Sequence, residues 1–222
     1  FWWTLSFGRY LLLQLDYALL CLQQLDTCRS FSISVSGWPW SGSVEMHLFL
    51  VALGGRCRGC HVEQHDVRWV IGETIDDTLP TLKKEWIGLR KGLHLDSYRR
   101  IDRVDGHVVN VVEPGSREIS SEEPRLWFVN LGAYDASSMA EQHHFGLVVA
   151  HSAASAKARA RRRWLQGLEQ IHKDDLHGVA MAPELDDLLP IEGNGCWSLT
   201  LKPISEGEDP PDQPDWFGYR LI

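Results

Sequence analysis

The chain has 222 residues, a formal net charge of −8 and a pI near 5.7. With 44% hydrophobic and 23% charged residues it has the make-up of a soluble globular protein, large enough for one or two cores, and its acidic balance argues against a nucleic-acid coat or a membrane-surface protein. Five cysteines (Cys21, Cys28, Cys57, Cys60 and Cys196) are an odd number, which argues against a disulfide framework and for a reducing, cytoplasmic compartment.

Residues 1–45 read differently from the rest. The apolar piece Tyr10 to Leu22 is interrupted by Gln14 and Asp16 and is too short to span a bilayer. Ser30 to Ser43 is rich in Ser, Gly and Trp and reads as loop. The first methionine is Met46, so residues 1–45 are expected to be an over-extended reading frame or a poorly ordered leader.

From Met46 the chain is written twice. Leu48-Phe49-Leu50-Val51-Ala52-Leu53-Gly54 returns as Leu126-Trp127-Phe128-Val129-Asn130-Leu131-Gly132. Glu63-Gln64-His65 returns as Glu141-Gln142-His143, Trp86 as Trp164, His94 as His172 and Asp96 as Asp174, always 78 residues on (Gly54 to Gly132). The first repeat is placed at 46–115, a linker at 116–124, the second repeat at 125–203 and an acidic, proline-rich tail, expected to be disordered in Ile204 to Asp215, at 204–222. The terminal Trp216-Phe217-Gly218-Tyr219 is too aromatic for a solvent tail and is expected to dock on the domain or meet a partner.

Leu48 to Leu53 is a continuous apolar run, the pattern of a strand covered on both faces. Gly54-Gly55 reads as a turn, not a phosphate loop, because no glycine fingerprint or helix follows. A second strand from about Glu63 to Glu73 puts Val67, Trp69 and Ile71 on one face, with Glu63 and His65 on the same face by alternation. Thr74 is the N-cap of a helix with Asp77 three residues on, and Ile75, Leu79, Leu82 and Trp86 form its apolar stripe, with Pro80 inside. Ser152 caps the second helix, whose stripe is Ala153, Ala156, Ala160 and Trp164. His94-Leu95-Asp96 opens a third strand, and Tyr98 to Val112 reads as a hairpin turning at Asp105-Gly106. In the second copy the closing strand is expected at Cys196 to Leu201, after an insertion holding Pro183 and Pro190. The fold class is therefore α+β: two tandem β-β-α-β(-β) repeats with pseudo-twofold symmetry, an antiparallel-rich sheet and one helix per repeat.

Met46 to Ser97 carries Leu53-Gly54-Gly55, Glu63-x-His65-Asp66, Gly72-Glu73-Thr74-Ile75-x-Asp77-Thr78-x-Pro80, Trp86 and Leu93-His94-Leu95-Asp96-Ser97. This set resembles the bacterial family known as domain of unknown function 1543, with the second copy at 126–175 a weaker match. The resemblance implies a small, duplicated, intracellular protein and no assigned activity.

For function, the paired Glu63 and His65, with Asp66, and Glu141 with His143 are the first candidates. Two carboxylates and two imidazoles meeting across a pseudo-twofold would suit zinc, iron or manganese. The plainer reading is that each Glu hydrogen-bonds its own His or a neighbouring backbone group and ties down a strand edge. His94 with Asp96 and His172 with Asp174 are candidates to orient the first imidazoles, though they read first as caps of the strand after each helix. Cys57-x-x-Cys60 could chelate metal or close a small disulfide ring, and with His65 and His143 makes a second, weaker metal set. Lys157-Ala158-Arg159-Ala160-Arg161-Arg162-Arg163 reads as a solvated helix face, not a nucleic-acid patch, since no stacking aromatics interleave it. The residues leave the cofactor unknown. The expected function is a non-enzymatic module in the bacterial cytoplasm holding a small ligand or a protein segment in an inter-copy groove; the alternative is a metal-assisted, hydrolase-like enzyme using Glu63, His65, Glu141 and His143.

Overall fold

The computed structural model describes residues 44–113, 120, 122–133, 139, 142–164, 188–191, 193–194, 196–205 and 209–222. The expectations for residues 1–43, the strand after the second helix with His172 and Asp174, and Glu141 fall outside these. In order, the described elements are β1 (His47–Gly55), β2 (Gln64–Gly72), α1 (Ile75–Glu85), β3 (His94–Arg100), β4 (Arg103–Val104) and β5 (His107–Val112). They continue with β6 (Arg125–Ala133), β7 (Gln142–Ala150), α2 (Ala153–Trp164), β8 (Leu188–Ile191), β9 (Ser198–Pro203) and β10 (Trp216–Leu221). The protein is thus α+β with two helices and antiparallel sheets in the orders β10-β3-β1-β2, β4-β5-β9 and β7-β6-β8.

The doubly apolar strands are explained by layering. On β1, Phe49, Val51 and Leu53 face α1 and pack with Ile75, Leu82 and Trp86. On β1's other face, Leu48 is buried, with Leu50 beside it, in a core made jointly by both halves, with Leu126 and Phe128 of β6 and Leu147 and Val149 of β7. The rings of Trp69 and Phe128 meet there with centroids 5.3 Å apart. Trp127, Val129 and Leu131 cover the other side of β6 against Ala156 and Ala160 of α2. The sheets of β1 and β6 therefore each have a helix outside and the other half inside, which is why both central strands are mostly apolar on both faces. Val67, Trp69 and Ile71 line the shared core as their alternation requires.

Both helices start as their caps predict. The Asp77 carboxylate accepts from the Thr74 hydroxyl at 2.6 Å and from its amide at 2.8 Å, and these bonds, the side-chain one foremost, hold its pKa below the ordinary value. Ser152 and Ser155 exchange amide-to-hydroxyl bonds at the start of α2. Helix α1 runs through Pro80. Ala153, expected in the stripe of α2, is exposed.

The turn at Asp105-Gly106 has φ of 51° and 71°, so β4 and β5 are joined by two left-handed residues, as the Asp-Gly pair predicts. β5 pairs with β9, Val109 opposite Leu201 and Asn110 opposite Thr200.

Three expectations are corrected. The strand beside β6 is Leu188–Ile191, inside the stretch read as insertion: Ile191 pairs with Leu126 as Ile101 bonds to Leu48, a spacing of 90 residues (Ile101 to Ile191), not 78. As an edge strand it tolerates Pro190. The acidic tail is not a free chain: Asp209 accepts from the Gly106 amide, Asp212 from Arg99, and Asp215 from the Arg100 amide, before β10 pairs with β3. Charge-assisted bonds to fixed partners outweigh its low hydrophobicity. Finally, Cys57 and Cys60 are free thiols, but Cys196 is disulfide-bonded. Among the described residues no helix is long and apolar enough to cross a membrane.

Candidate functional site

The first-copy candidates gather at one end of the β10-β3-β1-β2 sheet. Gly54 stands between His65 of β2 and His94 of β3 in register. A Cβ at Gly54 would lie 2.4 Å from His94 Nε2 and 3.0 Å from an Asp96 oxygen, so the missing side chain is what lets the imidazole lie over the strand. The His94 ring also meets the Tyr219 ring, centroids 4.1 Å apart. The His94 side chain is 2% exposed. Nδ1 lies 2.9 Å from the Gly92 carbonyl, which only accepts, so Nδ1 carries the proton. Nε2 is thereby aimed at carboxylates, 3.2 Å from Asp96 and 3.8 Å from Glu63, while His65 Nε2 lies 3.5 Å from the other Asp96 oxygen.

Asp66 belongs elsewhere: it pairs with Arg68 at 2.6 Å and caps the Val67 amide. His143 lies 3.2 Å from the Asn130 amide and lines a groove with residues of both halves. His65 and His143 thus have different partners, Asp96 and Asn130. Among the described residues no group of three or more His, Cys, Asp and Glu is arranged to hold a metal ion.

The groove, about 280 Å³, runs between β1 and β3 on one side and β7 and α2 on the other, with the tail across it. Its apolar lining comes from Leu50, Ala52, Phe145 and Leu147. Its mouth is charged. Arg99 of β3 donates to one Asp212 oxygen at 2.6 Å and Arg163 of α2 to the other at 3.0 Å, so guanidinium groups from both halves converge on one carboxylate. Arg163 is itself held by Asp105 at 3.1 Å, as is Arg159, and Asp105 also accepts from the Val149 amide at 2.8 Å. Asp105, a turn residue of the first half, thereby anchors the helix of the second.

The basic run is therefore not a solvated face throughout, since Arg159 and Arg163 serve the joint between halves. Sequence reasoning missed Arg99, Asp105, Asp212 and Tyr219 as site residues. Asp105 had a turn signal, and Arg163 lay in the basic run. Nothing local marked the meeting of Arg99, Arg163 and Asp212.

Fold and site define a class: an internally duplicated α+β protein whose two copies share a core and a charged groove. The family described as Domain of Unknown Function (DUF1543) matches residues 60–111 and 138–189, two segments separated by the same 78 residues as the sequence repeat (60 to 138). A crystal structure of a protein Il1583 from Idiomarina loihiensis is 32% identical, covers 80% of this chain and 99% of its own, and superposes with a TM-score of 0.58. The comparison with curated proteins finds no match. The chain belongs to the DUF1543 family. The matched segments start after β1 and include the β4-β5 hairpin, where the resemblance drawn from the residues ran from Met46 to Ser97.

Proposed function

We propose that this is a non-enzymatic binding module of the bacterial cytoplasm whose inter-copy groove takes a small ligand bearing a carboxylate or phosphate. The observation carrying the proposal is the convergence of Arg99 and Arg163 on Asp212. Two guanidinium forks offering donors to both oxygens of one anion form a specific anion receptor, and the tail's own carboxylate stands where a ligand's would. The groove volume lies just below the roughly 300–1,000 Å³ of ordinary ligand pockets, so the ligand is small. A pseudo-twofold relation of the copies underlies the site: β5 and β9 pair antiparallel about a centre between Val109 and Asn110, as a symmetric joint requires.

Calorimetric titration with inorganic phosphate and with succinate tests this. Asp212→Asn, which removes the resident anion, is expected to bind at least one of them about tenfold more tightly than the parent chain, a gain of roughly 1.4 kcal/mol. Adding Arg99→Ala or Arg163→Ala abolishes it. If Asp212→Asn binds neither anion better than the parent, the groove is not an anion site.

A second reading, metal-assisted catalysis, is favoured by the spacing of His94 Nε2, Asp96 and Glu63. His94 Nδ1 is oriented by a carbonyl, as in many metal sites, which leaves Nε2 toward the two carboxylates, although the three groups do not stand as a ready ligand set. His65, whose Nε2 lies 3.5 Å from Asp96, is the remaining candidate group on this side. Stoichiometric zinc, iron or manganese in untagged protein, lost in His65→Ala plus Asp96→Ala, supports this reading. Protein that takes up none of these metals after dialysis against them retires it.

A further inference from the structure

We infer that Cys57 and Cys60 form a redox-active dithiol that exchanges with an anionic low-molecular-weight disulfide of the glutathione type. The pair sits in the loop between β1 and β2, outside the groove and outside the His94 cluster. Both thiols are free. Cys57-Arg58-Gly59-Cys60 is a closed turn: the Cys60 amide donates to the Cys57 carbonyl at 3.3 Å, and Gly59 has φ of 84°, the left-handed value demanded at the third position of a type II turn. A turn brings its first and fourth Cα atoms within about 7 Å, and a disulfide spans roughly 4.4–6.8 Å, so the ring can close without refolding the loop.

The two sulfurs are not equivalent. Cys57 is half-buried against Gly88, where an added Cβ would stand 2.9 Å from its Sγ, and the backbone beside it is pinned by the Leu89 amide donating to the Arg56 carbonyl at 2.7 Å. Cys60 is exposed. Arg56 and Arg58 bracket Cys57 in sequence and give the loop the positive charge that attracts an anionic partner. The order of events follows. The Cys60 thiolate attacks one sulfur of the external disulfide, its S–S bond breaks, and one thiolate leaves and takes up a proton. The Cys57 thiolate then attacks Cys60 Sγ, forming the Cys57–Cys60 bond and expelling the second external thiolate, which is protonated in turn. The protein dithiol is oxidised by two electrons and the external disulfide is reduced to two thiols. Glu63, whose carboxylate lies 3.8 Å from His94 Nε2, is three residues beyond Cys60, so ring closure stiffens the loop that delivers it.

The sequence supplies a direct readout, because Arg58 lies between the cysteines. Reduced full-length protein is treated with oxidised glutathione, quenched in acid, alkylated with iodoacetamide and digested with trypsin. Cleavage after Arg58 leaves Cys57 and Cys60 on separate peptides, joined only by a disulfide. The expected result is a joined pair, with both thiols lost to alkylation together. Cys57→Ser is expected to accumulate glutathione on Cys60, and Cys60→Ser to react about tenfold more slowly, because its remaining thiol is half-buried. Two results overturn the inference: wild-type protein that holds glutathione on Cys60 while Cys57 stays alkylatable, or protein that carries stoichiometric zinc shielding both thiols and loses it in Cys57→Ser.

Discussion

Gly54→Ala is expected to destabilise the protein by about 3 kcal/mol, the upper part of the usual range for forcing extra atoms into a packed interior. Gly54 lies on β1 with β2 and β3 bonded on either side, so the backbone has no freedom to retreat. Its new methyl would meet His94 Nε2 at 2.4 Å, Cε1 at 2.8 Å and an Asp96 oxygen at 3.0 Å. His94 is restrained from swinging away, because its ring meets that of Tyr219 and Nδ1 is tied to the Gly92 carbonyl. Urea denaturation measures the loss. A His94→Ala background separates the steric cause from strand propensity: with the ring removed, Gly54→Ala should cost less than about 1 kcal/mol, the difference being the coupling between the two positions. A single mutant less than 1 kcal/mol below wild type would show that the cluster yields easily, and its value as a rigid site would go.

Asp105→Ala is the second large effect, on the order of 3 kcal/mol by the same measurement. Three contributions add. The Val149 amide loses its 2.8 Å acceptor in a part-buried place, and a buried unmet donor costs roughly 1–3 kcal/mol. Arg159 and Arg163 lose their shared carboxylate, whose side chain is only 11% exposed, although the exposure of both arginines limits this share. Alanine also tolerates φ of 51° less well than aspartate, by a further 1 kcal/mol or so. Asp105→Asn keeps the left-handed preference and an oxygen for Val149, and is expected to lose only about 1 kcal/mol, with weaker salt dependence than wild type. Equal losses in the alanine and asparagine variants would assign the whole effect to the arginine pairs. Since Arg163 is held by Asp105 and in turn meets Asp212, both variants should also weaken the groove's anion binding.

Local periodicity made most elements legible. The apolar runs, the Thr74 and Ser152 caps and the Asp105-Gly106 turn each depend on residues a few positions apart, and each appears where the residues require. β8 was missed because its four residues, with a proline among them, carry too little pattern to be told from an insertion; only its pairing with β6 makes it a strand. Composition alone read the tail as disordered, but its aspartates meet Arg99, the Arg100 amide and the Gly106 amide, partners over 100 residues away. Glu63, His65, His94 and Asp96 were legible as candidates from their recurrence, and their assembly around Gly54 was not.

Taken alone, the residues determined that one strand-strand-helix unit occurs twice and that its central strand is apolar on both sides, because hydrogen-bond geometry and side-chain alternation act over a single turn or a pair of residues. Tertiary structure decided what covers those two sides: a helix outside and the other copy inside. It also decided that Arg99, Arg163 and Asp212, scattered through more than a hundred residues, share one groove. Charges find one another through space once the cores have packed, and their spacing along the chain carries no trace of that meeting.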